Sequence, residues 1–395
     1  MSEVLKKAEA RPQALRLHYL DGMRGLAALY VVMYHAYLIL DRRGLWAPLP
    51  AVVRFGLSWT RFGHISVAIF IVLSGYCIML PVARNESGEL RGGASGFLKR
   101  RAMRILPPYY AAMVISLALD SLSYLTANRV AHADGLAFIF SPRSILSHLF
   151  LVHNLNPDTA YTVNSPFWSV ATEAQIYLFF PAMLLPLWRR FGNIPPLIIA
   201  FAIGLAPKFL FHNALNQACP WYLGLFALGM AGASISFSSR MLDLTLQTKA
   251  PWMAIAALGW IAVFFLLSTL KHVEADYWAI DVLLGVTTTS LLIACTRHLT
   301  SPRLSDTSVT LAVLDSKFAT KIGAFSYSIY LLHDPILHIS QFVMRKAHLS
   351  PMFEVIGFGF VIIPATVVVA YLFHLKFEKP FMSGPIAKRV PLTEK

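Results

Sequence analysis

Charge is scarce in this 395-residue chain. Asp, Glu, Lys and Arg make up 14% of it, against about a quarter in a soluble globular protein. That shortage, with 56% apolar residues and a mean hydropathy of +0.59, excludes an ordinary water-soluble domain and implies an integral membrane protein. Cysteine is scarce as well, and Cys77, Cys219 and Cys295 all lie in apolar stretches. Thiols so placed fit small buried hydrophobes better than a disulfide framework or a cysteine metal cluster. No small-residue cleavage site follows the first apolar stretch, so that stretch is expected to be a retained span rather than a signal peptide. No repeat of fixed period stands out, and no soluble domain is expected after residue 374.

What the chain has instead is long apolar runs. Stretches of about 20 residues, each enough to cross a hydrocarbon core about 30 Å thick as a helix, fall near residues 22–40, 64–82, 107–126, 166–188, 194–211, 220–238, 251–270, 277–296, 322–342 and 352–373. The expected fold is all-α, with about ten transmembrane helices. A formal charge of +14 would suit nucleic acid if the basic residues shared a face, but they follow the loops, which excludes that partner. With the N-terminus inside, most of the 34 Lys and Arg fall on the inner side, so the positive-inside rule puts both termini in the cytoplasm. The chain then divides into a cytoplasmic tail over 1–18, a transmembrane domain over 19–381 and a basic cytoplasmic tail over 382–395.

Polar residues stand out against that background. Arg24 and His35 are eleven positions apart in one apolar run, three helical turns plus about 20°, so they share a face about 16 Å apart. Ionisable side chains are costly in lipid and face a protein interior or a pathway. Counting depth at about 1.5 Å per residue brings His35, Ser74, Glu173 and the Ser326, Tyr330 and His333 face of the ninth span to a common level near mid-membrane.

Each of these has a bland reading. Ser74 can bond its own helix or a neighbour, Gly75 can simply allow close helix contact, and a lone intramembrane histidine can be a satisfied core residue. Glu173 is harder to place alone, because a carboxylate at that depth must be paired, hydrogen-bonded or protonated. As a group they suit acid–base chemistry. His35, with one nitrogen held by Glu173, would be a general base of defined tautomer acting on a hydroxyl. Tyr330, Ser326 or His333 would donate to a developing oxyanion, Ser74 is a candidate acyl carrier alongside His35, and Trp168 reads as a rigid wall or an interfacial anchor.

At the inner surface Arg100, Arg101 and Arg104 fall within about one turn and precede Pro107-Pro108. They read either as a bidentate phosphate-binding array, with Arg24 on the same side, or as a topogenic cluster against lipid headgroups. His132, His148 and His153, between residues 127 and 165, lack the spacing of a compact metal site and are expected to be exposed loop histidines. No metal is expected. A midplane Glu and His would also serve a proton-coupled secondary transporter, although the inverted repeat of that class is not evident.

From about residue 19 to 381 the chain resembles the acyltransferase 3 family of membrane-bound O-acyltransferases. The resemblance rests on motifs in register: Arg24-x10-His35, Phe70-x-x-Leu-Ser74-Gly75, Arg101-x-x-Arg104 with Pro107, Trp168-Ser169-x-x-x-Glu173, Gly323-Ala-Phe-Ser326-Tyr327-Ser-Ile-Tyr330-Leu-Leu-His333, and Glu378-Lys-Pro380. It implies a ten-helix domain that takes an acyl group, most often acetyl, from a cytoplasmic acyl-coenzyme A to a hydroxyl of a sugar-containing acceptor. Surface polysaccharides, lipid-linked glycans and glycosylated metabolites are the implied acceptors, and a bacterial-type inner membrane, with its lipid, is the implied setting. Carried onto this chain, the motifs make His35 the catalytic base and Arg24, Arg101 and Arg104 the donor contacts, with Arg100 added for its adjacency. Ile69-Phe70-Ile71 stands where a double Phe is common. The C-terminal hydrolase-type domain of some relatives is not expected here, so transfer would finish within the membrane domain or on a separate protein.

Overall fold

The computed structural model describes residues 17–85, 87–126, 139–269, 277–300 and 308–382. Nearly all of the tail over 1–18, the basic tail after residue 382 and His132 lie outside them. Among the described residues the chain is helical and has no strand. Ten long helices carry it: α1 His18–Arg42, α2 His64–Ala83, α3 Gly93–Thr126, α4 Phe167–Phe191, α5 Ile194–Leu210, α6 Tyr222–Phe237, α7 Trp252–Thr269, α8 Tyr277–Thr300, α9 Ser326–Lys346 and α10 Pro351–Met382.

Eight of these are long and apolar enough to cross a membrane, fewer than the ten expected. The exceptions are α5, whose 17 residues rise only about 25 Å, and α9, which carries His333, Asp334 and His338. Large apolar side chains point outward on α7 and α10, among them Leu258, Phe265, Phe360 and Val368. In water such a belt would be an aggregating patch; in a bilayer it is the lipid face.

The centre of the bundle is α6, buried at every position from Tyr222 to Ser236. It packs on α2 backbone to backbone. A Cβ at Gly75 would lie 2.1 Å from the Phe226 carbonyl oxygen, and one at Gly229 would lie 2.0 Å from that of Val72. Small residues permit this approach in lipid, where helix association rests on contact rather than hydrophobic burial. Hydrogen bonds reinforce it: Thr296 of α8 meets the hydroxyls of Tyr19 and Tyr76, each at 2.6 Å, and Tyr76 also reaches Ser236 at 3.1 Å. Arg43, just after α1, pairs with Glu354 at the start of α10. The three cysteines are free thiols; Cys219 and Cys295 are buried and Cys77 is half-buried.

Residues 139–166 form a folded cap between α3 and α4. Ser141 caps a short helix, Pro142–Leu149, by accepting from the Ser144 N–H, which satisfies one of its orphan donors. The expectation of exposed histidines fails here. His148 and His153 are both fully buried and stack with ring centroids 4.0 Å apart, because the segment folds on itself. The His148 ring nitrogens reach the carbonyls of Ser144 and Thr162 at 2.8 and 3.0 Å. Asn164 ties the cap to the bundle by donating to Ser116 and to the Leu331 carbonyl at 2.9 Å.

Candidate functional site

A cavity with about 860 Å³ of empty space, including its open mouth, lies inside the bundle. Its walls come from five helices: Arg24 of α1; Val67, Phe70, Ser74 and Cys77 of α2; Arg101, Arg104 and Ile105 of α3; Ser169, Val170, Glu173 and Tyr177 of α4; Ser326, Tyr327 and Tyr330 of α9. Seven residues singled out from the sequence thus share one surface: Arg24, Ser74, Arg101, Arg104, Glu173, Ser326 and Tyr330.

The arginines cluster at one end. Because α3 starts at Gly93, earlier than its apolar run, Arg101 and Arg104 sit within the helix and project into the cavity, while the prolines fall in its interior. Arg24 pairs with Asp21 at 3.3 Å. Arg101 and Arg104 have neither an ion pair nor a hydrogen bond among the described residues, and the Arg101 Nε is buried without a partner. Arg101 lies over the rings of Phe97 and Tyr177, its guanidinium carbon 5.7 and 5.8 Å from their centroids. Arg100 does not join them. It is exposed, and its Nη1 lies over Gly92 and Gly96, because one helical step of about 100° turns it away from Arg101.

Further in, the hydroxyls are committed to one another. Tyr177 donates to Glu173, so the contact of Ser74 with Tyr177 at 2.8 Å runs from Ser74 to the phenol oxygen. Tyr330 donates to the Pro166 carbonyl at 3.1 Å and accepts from Ser169 at 2.6 Å. Ser326 is a wall hydroxyl with no hydrogen bond among the described residues. Tyr177 went unnoticed in the sequence, although its i+4 spacing from Glu173 puts both on one helix face and was the signal to read.

The expected hydrogen bond between His35 and Glu173 is not formed. His35 is met instead by His333, whose Nε2 lies 3.2 Å from the His35 Nδ1, the rings 4.6 Å apart in a T arrangement. The His35 Nδ1 also lies 3.0 Å from the Val31 carbonyl oxygen, and the His333 Nδ1 lies 3.2 Å from that of Ile329. A carbonyl can only accept, so in the neutral rings each Nδ1 carries the proton. The His35 Nε2 is then the lone-pair nitrogen, and the His333 Nε2 is an acceptor facing His35 rather than an oxyanion donor. Neither ring lines the cavity. Tyr330 and Phe70, edge to face at 6.1 Å, do, and Tyr330 lies 5.7 Å from His333.

Trp168 is also off the cavity. Its ring lies parallel to that of His64, 6.4 Å away, beside a buried cluster in which Asp281 holds His64 at 3.0 Å and accepts from Trp221 at 2.8 Å. No group of three or more His, Cys, Asp or Glu able to hold a metal ion occurs among the described residues.

Comparison with known proteins adds an independent line. A family model described as an acyltransferase domain matches residues 17–375. The peptidoglycan O-acetyltransferase OatA of Listeria monocytogenes is 25% identical over 345 residues, 82% of this chain and 50% of that protein. The O-acetyltransferase OatA of Staphylococcus aureus is 23% identical over 330 residues, 80% of this chain and 50% of that protein. The chain therefore spans about half the length of the curated relatives it matches. No solved structure matches it.

Proposed function

The chain belongs to the acyltransferase domain family, and on that premise we propose that it is a membrane O-acyltransferase moving an acyl group, acetyl foremost, from acyl-coenzyme A to a hydroxyl of a sugar-containing acceptor. A glycan is the favoured acceptor because the listerial relative is named for peptidoglycan. The setting is a bacterial-type inner membrane, with the domain over 19–381 embedded and both termini cytoplasmic.

The carrying observation is that Arg101 and Arg104 face the cavity without a carboxylate partner. A half-buried guanidinium without a counter-charge, the Arg101 Nε fully buried, is costly, and the phosphates of coenzyme A would supply the missing charge in bidentate form. Arg24 shares that end. The pantetheine arm would carry the thioester along the cavity, away from the arginines.

In this reading the His35 Nε2 takes the proton of the acceptor hydroxyl as its oxygen attacks the thioester carbonyl. The carbon–sulfur bond breaks, and the leaving thiolate recovers the proton from the imidazole. Transfer is direct, with no acyl-enzyme. His333 holds the His35 tautomer, while Glu173 holds Tyr177 and, through it, Ser74.

Labelled acetyl-coenzyme A supplied to inverted membrane vesicles tests the proposal. Label is expected in a glycan fraction and lost with His35→Ala. Normal transfer by His35→Ala in washed membranes would overturn the role of His35, and solute accumulation without acylation would replace the enzyme with a transporter.

A further inference from the structure

On α2 the residues 64, 67, 71 and 74 follow at helical spacing and share a face. Val67, Ile71 and Ser74 line the cavity, so His64 continues that wall by one turn. Arg101 lies over Tyr177, which meets Ser74; His64, ten residues before Ser74, is about 15 Å further along α2, away from the arginines. On α4 Trp168 directly precedes Ser169 and Val170 of the cavity wall, and its ring lies parallel to that of His64. Both rings are half-buried. Tyr277 stacks on the His64 ring at 4.2 Å and fixes its plane.

The polar groups here are satisfied on one side only. A carboxylate accepts, so the His64 Nε2 carries the proton and gives it to the Asp281 Oδ2 at 3.0 Å, with the Tyr222 hydroxyl oxygen at 3.2 Å. The neutral ring then holds its lone pair on Nδ1, which has no hydrogen bond among the described residues. Asp281 is fully buried; its Oδ2 also accepts from Trp221 at 2.8 Å, while its Oδ1 is buried without a donor. Two acceptors thus stand without a donor beside a half-buried indole. A buried acceptor left unpaired is costly, and neither a lipid tail nor an acyl chain can give it a proton. A polyhydroxylated ligand can, because its hydroxyls donate while the C–H face of a sugar ring packs on an aromatic one.

The level also fits. A Cβ on Gly63 would lie 2.2 Å from Tyr34, so α1 and α2 touch at the residues that precede His35 and His64. The two histidines therefore stand within about 3 Å of one level in the bundle.

We propose that His64, with Asp281 behind it and Trp168 beside it, is the acceptor subsite, taking a sugar that enters from the end opposite the arginines. The inference rests on the acyltransferase reading and deepens it by assigning residues that hold the acceptor. The His64 Nδ1 accepts a hydrogen bond from a sugar hydroxyl, and the Trp168 ring packs on the sugar. Donor and acceptor thus approach from opposite ends.

The test gives the purified full chain in detergent labelled acetyl-coenzyme A and graded amounts of the glycan fraction extracted from membranes of the source cell. His64→Ala and Trp168→Ala should each raise the half-saturating amount of glycan by about tenfold, with the KM for acetyl-coenzyme A within about twofold and the rate recovering at excess glycan. His64→Gln keeps a donor for Asp281 and an acceptor for the hydroxyl, and Trp168→Phe keeps a ring. Both should fall between, and they decide the matter where the alanine variants do not fold. A half-saturating amount unchanged in every folded variant overturns the proposal. So does a loss of rate that excess glycan does not recover, which is the mark of a structural role. Absence of transfer by the native chain instead overturns the acyltransferase reading, and the subsite with it.

Discussion

His35 and His333, 298 positions apart in the chain, meet across α1 and α9 with the His333 Nε2 3.2 Å from the His35 Nδ1. Each Nδ1 also faces a carbonyl oxygen of its own helix four residues back, that of Val31 or Ile329. The backbone of two helices thus dictates which nitrogen of each ring carries the proton, and the His35 Nε2 is left with the lone pair.

On the proposed reaction His333 would be a positioning residue, a second acceptor beside the Val31 carbonyl for the His35 Nδ1–H. His333→Leu removes the acceptor behind Nδ1 and is expected to lower kcat by about 10²-fold, the lower range for general-base catalysis, while leaving the KM for acetyl-coenzyme A within about twofold. His333→Gln keeps an acceptor in reach and should restore much of kcat. An equal loss in both variants, or a loss confined to KM, would count against the assignment.

The arginines divide by what they face. Arg101→Ala and Arg104→Ala should each raise the KM for acetyl-coenzyme A by about tenfold or more, the worth of a charge-assisted hydrogen bond of roughly 1.5–3 kcal/mol. Arg100→Ala, on the exposed face of the same turn, should stay within about twofold. Donor titrations in vesicles read this directly, and an Arg100 effect equal to the other two would show that the whole cluster acts through the surface.

Backbone contact between α2 and α6 makes Gly75 and Gly229 intolerant. Gly75→Ala would place its Cβ 2.1 Å from the Phe226 carbonyl oxygen, so the helices must separate, at a cost of at least about 1–3 kcal/mol. Thermal unfolding in detergent should show a clear loss for Gly75→Ala. Gly56→Ala, where nothing lies within 4 Å of the added carbon, should be close to neutral. Equal melting of all three proteins would contradict the packing.

Burial of His153 gives the cap a pH dependence. Its pKa is pushed down to about 3, first by burial and then by the stacked His148, below the ordinary imidazole value of about 6.5. Above about pH 6.5 both folded and unfolded segments hold it neutral, and stability is full. As pH falls from about 6.5 towards 3 only the unfolded segment takes the proton, so stability is lost, by about 1.4 kcal/mol at pH 5.5. Hydrogen exchange over residues 139–166 should be faster at pH 5.5 than at pH 7.5, allowing for the intrinsic rates. Stronger protection at the lower pH would refute the sign.

Much was legible before the fold was known. Apolar run length yields an all-α membrane architecture because a helix is what spans lipid with its backbone satisfied. Helical period puts Arg24 and His35 on one face, and puts Ser326 and Tyr330 on another, because 3.6 residues per turn holds whatever the surroundings. Depth counting brought His35, Ser74, Glu173 and the Ser326, Tyr330 and His333 face to one level; Ser74, Glu173, Ser326 and Tyr330 line one cavity, Ser326 and Tyr330 a helical turn apart, while His35 and His333 do not line it.

Lateral neighbours were not legible. Depth says nothing about which helix faces which, so Glu173 appeared as the partner of His35, whereas it accepts from Tyr177 and His333 takes that place. Arg100 and Arg101 are equivalent as neighbours in sequence but about 100° apart around the helix, and which of them faces the cavity is decided by where α3 begins and how it is rotated in the bundle. Sequence by itself determined the class of fold, the family and the face on which each polar residue lies, since those depend on local period and composition. The pairing of the histidines, the unpartnered arginines and the meeting of His64 with Asp281 were decided by tertiary packing, because each depends on contacts between helices distant in the chain.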